Sequence, residues 1–186
     1  MSYLRTFLPW IVFAVFPSGD WQWGALAALL VAVAIIAKEK QSGTGFDALI
    51  IESGSAVFFA VLAAVAFADP HSGVHDYSAA LSSGTLAVIA GVSLAIGRPF
   101  TLGIAKRSTP PEFWGLKPFI RTNVVITAVW TAAFVATAVA LALVAHAGHA
   151  HSTAATVIQI AGFAVPMVFT VRYVAHVQAK AGQVAR

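Results

Sequence analysis

The chain has 186 residues, of which 59% are hydrophobic and only 10% charged, with a mean hydropathy of +0.84. Soluble domains carry about a quarter charged residues, so a chain this apolar has lipid as its solvent. The net charge of +4 and the pI near 9.8 would point to nucleic acid in a soluble protein, but here the cations sit at the ends of apolar runs and report topology, so no nucleic-acid partner is expected. With no cysteine, disulfides, thiolate metal sites and cysteine nucleophiles are excluded.

Six apolar stretches follow in chain order: Leu4–Phe16, Trp21–Ala37, Phe46–Phe67, Tyr77–Gly97, Asn123–Ala147 and Thr153–Val177. The last four are long enough, at about 1.5 Å per residue, to cross a hydrocarbon core of about 30 Å. The first two are shorter and meet at the polar turn Pro17-Ser18-Gly19-Asp20. Pro9 lies within the first, which is expected to tilt, kink or only partly span. That stretch lacks a small-residue cleavage motif and reads as a retained helix rather than a signal peptide.

Six crossings place Arg5, Lys38, Lys40, Arg98, Lys106, Arg107, Lys117, Arg121, Arg172, Lys180 and Arg186 on one side, which accounts for all 11 basic residues. The three opposite loops, Pro17–Asp20, Ala68–Asp76 and Gly148–Ser152, contain none. This asymmetry predicts both termini on the cytoplasmic side of a bacterial-type inner membrane. The expected fold is therefore all-α, a polytopic bundle of about six transmembrane helices forming one domain over residues 1–186. The one long connection, residues 98–122, contains Pro110-Pro111-Glu112-Phe113-Trp114. Prolines stop a helix there, and Phe113, Trp114 and Phe119 beside Lys117 and Arg121 suit a segment, Glu112–Ile120, lying on the inner leaflet or docking a partner. Three helices in each half would give halves of opposite orientation, a plan common in transporters.

Small residues recur at intervals of four, as Ser83, Ala87, Gly91 and Ala95 on the fourth helix and Ala128, Ala132, Ala136 and Ala140 on the fifth. Such ridges serve close packing within the bundle or in a homo-oligomer. Ionisable groups inside a span cost roughly 2.5–3.5 kcal/mol each at a helix centre. Glu52 and Arg172 both lie about 8–9 Å in from the cytoplasmic face by residue count, so they are expected to pair as a structural ion pair or, alternatively, to form a transport site. Arg172 is also long enough to snorkel outward. Gln159 and Pro166 mark the sixth helix, where the proline frees the Gly162 carbonyl and predicts a kink. Asn123 and Thr127 are expected to pair between helices.

Five of the six histidines, His71, His75, His146, His149 and His151, fall in or beside the outer loops, with Asp69 and Asp76. Their spacing matches no strong ligand motif, so they read as solvated groups and no metal or cofactor is assigned. No nucleophile elbow, zincin, Walker or dinucleotide signature is present, and the chain does not read as an enzyme.

Phe7-Leu8-Pro9 opening an aromatic helix, Arg98-Pro99 closing the fourth helix, Trp114 in the cytoplasmic loop, and Asn123, Trp130 and Phe134 on the fifth form a pattern. It resembles the intracellular septation protein A family, or a related six-helix membrane family. The resemblance implies a non-enzymatic inner-membrane protein that supports envelope synthesis or septation through the bilayer and through other envelope or division proteins. A small-solute or ion transporter is the alternative, resting on Glu52, Arg172, Gln159 and Pro166, and a membrane enzyme or metal-binding protein is a third.

Overall fold

The computed structural model describes residues 5–16, 18–43 and 49–184. They form seven helices: α1 (Leu8–Val15), α2 (Trp21–Gln41), α3 (Ile50–Ala68), α4 (Val74–Ala95), α5 (Phe100–Lys106), α6 (Lys117–His146) and α7 (Thr153–Val184). Short 3₁₀ turns at Ser18–Asp20 and Pro111–Phe113 join them, and no strand occurs among the described residues. Five helices, α2, α3, α4, α6 and α7, are long and apolar enough to cross a membrane. The protein is a helical membrane bundle.

The first expected crossing is the exception. α1 has eight residues, about 12 Å of helix at 1.5 Å per residue, too short to cross alone. The segment from Arg5 to Phe16 nevertheless connects both ends of the bundle. Arg5 meets Glu39 near the end of α2, and Phe16 packs so tightly on Gly24, near the start of α2, that a Cβ there would lie 2.9 Å from the Phe16 Cβ.

Three helix ends are set by glycine. Gly43, Gly97 and Gly148 have φ of 76°, 72° and 78° just past α2, α4 and α6, a left-handed conformation that costs other residues a Cβ clash. After α4 and α6 the reversal is completed by paired backbone bonds, Arg98 N–H to Ser93 O with Gly97 N–H to Leu94 O, and His149 N–H to Val144 O with Gly148 N–H to Ala145 O. These satisfy carbonyls that a helix end otherwise leaves open.

α1, α2 and α3 pack as one group and α4, α6 and α7 as another, with α3 against α4 joining them. At that junction Gly54 lies under Ile89, whose Cδ1 would be 2.4 Å from an added Cβ. The core is aromatic. Phe7 stacks on Trp130 at 5.0 Å, and Phe134 and Phe163 close around both rings. Trp10 stacks on Phe58 and tilts against Phe59. The buried face of α6 runs Asn123, Thr127, Trp130, Phe134, Thr137, Leu141 and Ala145, a stripe at helical period. Its alanine ridge lies elsewhere: Ala128, Ala132 and Ala136 are exposed, whereas Ser83 and Ala87 of α4 are buried. Val57, Val61, Val88, Val92, Val135 and Val139 face outward, as helices bathed in hydrocarbon require.

The connection after α4 differs from a single surface segment over Glu112–Ile120. Pro99 caps α5, which ends at Lys106, Pro110-Pro111 opens a 3₁₀ turn, and α6 begins six residues before Asn123, at Lys117. Pro118 is accepted in the first turn of α6 because no intrahelical partner for its missing N–H exists there. α7 runs continuously through Pro166. Thr170 donates to the Pro166 carbonyl at 2.7 Å and accepts from the Trp130 indole at 3.0 Å, tying α7 to α6 one turn beyond the proline.

Candidate functional site

The two ends of the bundle carry different chemistry. At the basic end, Glu52 sits in the first turn of α3 and is 1% exposed. A carboxylate there benefits from the positive end of the helix dipole. Its Oε1 accepts from Thr6 Oγ1 at 3.1 Å and from Arg107 Nη2 at 3.2 Å. Arg107 Nε lies 4.0 Å from Glu39 Oε2, and Glu39 Oε1 pairs with Arg5 at 2.7 Å. The result is a chain of alternating charges, Arg5, Glu39, Arg107 and Glu52, whose four charges balance one another. Neutrality matters because a buried carboxylate without a partner loses its hydration and regains nothing.

The local sequence explains how Arg107 arrives. It caps the C-terminal end of α5. Ser93 Oγ accepts from the Phe100 N–H at 3.1 Å, fixing the start of α5 on the end of α4. Thr101 donates to the Asn123 carbonyl at 2.9 Å and shares a 2.8 Å hydrogen bond with the Thr127 hydroxyl. α5 thus acts as a bracket between α4 and α6. Beyond it Trp114 donates to the Thr109 carbonyl and lies under the Lys106 ammonium at 5.2 Å.

The expected partner of Glu52 was Arg172, and the structure corrects this: the partner is Arg107, and Arg172 is exposed on α7. Matching depth along the membrane normal left the position within the plane open. Asn123 bonds through its side chain to Phe119 of its own helix, so the interhelical bond to Thr127 belongs to Thr101. Gln159 lies in the second turn of α7, lining a cavity at the other end of the bundle. Pro9 and Trp130 are buried, Pro99 caps α5, and Arg98 lies on the reversal after α4. The network members Arg5, Thr6, Glu39 and Arg107 were not singled out from sequence. The available signal was Glu39, an acid embedded between Lys38 and Lys40 at the end of a span.

At the opposite end, Trp21 donates to the Pro70 carbonyl at 3.0 Å and stacks on His75, and His75 stacks on His151. His151 Nε2 lies 3.1 Å from Asp76 Oδ1. A cavity of about 260 Å³ opens beside these rings and reaches Thr156 and Gln159.

Fold and polar network together define the class, a polytopic α-helical membrane protein with a packed aromatic interior. No protein-family model, curated protein or solved structure matches the chain.

Proposed function

We propose that this chain is a bacterial inner-membrane scaffold with both termini cytoplasmic, non-enzymatic, serving envelope synthesis or septation through partners held in the bilayer. The observation that supports it is the aromatic layer of Phe7, Trp130, Phe134 and Phe163, packed between the two polar ends of the bundle. A solute path needs a polar cavity at the membrane midplane, whereas this layer is made of interlocked aromatic rings. The one-sided basic residues support the orientation. Phe113, Leu116 and Ile120, exposed beside Lys117 and Arg121 at the basic end, offer a cytoplasmic surface for lipid headgroups and partners.

Deletion of the gene in its own bacterium tests this reading. Elongated or misdivided cells, restored by the intact chain and by Glu52→Gln at equal expression, are the expected result. Normal division and envelope composition would overturn it. So would solute uptake by proteoliposomes that Glu52→Gln abolishes, which would make the chain a transporter.

A further inference from the structure

We propose that His75, Asp76 and His151 form a binding site for a divalent transition-metal ion, with Zn²⁺ as the best fit. One ligand atom from each residue lies within 4.8 Å of the others. A tetrahedral zinc with bonds of about 2.0–2.1 Å separates its ligand atoms by about 3.3 Å. The His151–Asp76 edge already has 3.1 Å, and the two remaining edges, both to the half-buried His75, start from no more than 4.8 Å and close as the rings rotate.

The surrounding structure pre-orients the two imidazoles. Trp21 is 3% exposed and anchored by its bond to Pro70. Its ring stacks on His75 at 5.2 Å, and His75 stacks on His151 at 4.7 Å, each with planes 30° apart. These ring contacts hold both histidines at one place, although they come from segments 76 residues and three helices apart. Solvated histidines on mobile loops have no reason to share such a stack.

The donor set selects the metal. Two imidazoles and one carboxylate suit zinc, copper or nickel, whereas magnesium and calcium require six or more oxygens. Three protein ligands leave one position open, and the adjoining cavity, lined by Ser78, Thr156 and Gln159, gives room there for water or a small anion. His75 and Asp76 stand on the first turn of α4 and His151 precedes α7, so a bound ion would tie those two helix starts together. The proposal does not depend on the scaffold reading.

The test uses the full chain in detergent with any affinity tag removed. Zn²⁺ is titrated in competition with a chromophoric chelator. One ion bound per chain is expected, with affinity lowered by more than about tenfold in His75→Ala and in His151→Ala. His71→Ala and His149→Ala, in the loops that precede α4 and α7, should leave it unchanged. Co²⁺ added to the unmodified protein should give the intense visible bands of a four-coordinate ion, a readout independent of variant folding. Equal binding by the triple variant His75→Ala/Asp76→Asn/His151→Ala would overturn the site. Equal losses in the His71 and His149 variants, or a weak six-coordinate Co²⁺ spectrum, would do the same.

Discussion

Arg107 and Glu52 meet at 3.2 Å, although 55 residues separate them and one lies in a connection between helices while the other opens a span. The contact is the point at which α5, held against α4 and α6, is bound to α3 and to the chain before α1. Replacing Arg107 by Met leaves Glu52 buried beside Thr6 alone. Stranding one partner of a buried pair typically costs about 3–5 kcal/mol, and less where a partner is partly hydrated, as Arg107 is with 15% of its side chain exposed. Unfolding in detergent micelles should show this loss, and Arg107→Met/Glu52→Gln should recover part of it. Arg172→Gln should stay within about 0.5 kcal/mol of the unaltered protein, as exposed positions do. A larger effect at Arg172 than at Arg107 would contradict the network.

The Trp130–Thr170 bond makes a separate prediction. Thr170→Val keeps the shape but leaves a fully buried indole N–H without its acceptor, at a cost of about 1–3 kcal/mol. Trp130→Phe gives up the same bond yet leaves no stranded donor, so it should cost less than Trp130→Ala. Removing the whole aromatic side chain takes about 3–5 kcal/mol in a packed core. The order of the three midpoints in thermal unfolding checks the assignment.

Close approach of α6 and α7 depends on Gly162. A Cβ there would fall 2.4 Å from Thr137 Oγ1 and 3.1 Å from its Cβ, too near for a side-chain rotation alone to relieve. Gly162→Ala should destabilise by about 1–3 kcal/mol. Adding Thr137→Ala removes the two closest atoms and should return part of that loss, a coupling a double-mutant cycle measures directly. Gly84→Ala is the control, since the nearest atom to its added Cβ is 3.9 Å away.

Orientation can be read chemically because the chain has no native cysteine. Single cysteines at Ser42, beyond α2, and Ser72, between α3 and α4, should react with an impermeant maleimide from opposite sides, Ser72 from the periplasm. Labelling of both positions from the periplasm would refute the cytoplasmic placement of the basic end.

The long helices were visible in sequence because each is a run of apolar residues bounded by charge or glycine, and glycine ends α2, α4 and α6 as expected of a left-handed cap. What sequence left open was the arrangement within the membrane plane. Glu52 and Arg172 match in depth, but α7 packs on α6 while α3 packs on α2, and hydropathy carries no signal for that choice. α5 was hidden because its seven residues present Phe100, Thr101, Gly103 and Ile104 to the core, too short a run to show a period. The histidine stack was likewise invisible, since Trp21, His75 and His151 come from three separate segments.

The ionic network also dictates an order of events during synthesis. At about 5–20 residues per second, the 55 residues from Glu52 to Arg107 take roughly 3–11 s to emerge. Through that interval α3 is in or near the membrane with an acid whose Arg107 partner has not yet been made. Its place in the first helical turn lets the carboxylate remain among headgroups and water until α5 is made. A glutamate moved two turns deeper would have to enter hydrocarbon before Arg107 existed to meet it. The position of Glu52 therefore suits the nascent chain as well as the finished bundle.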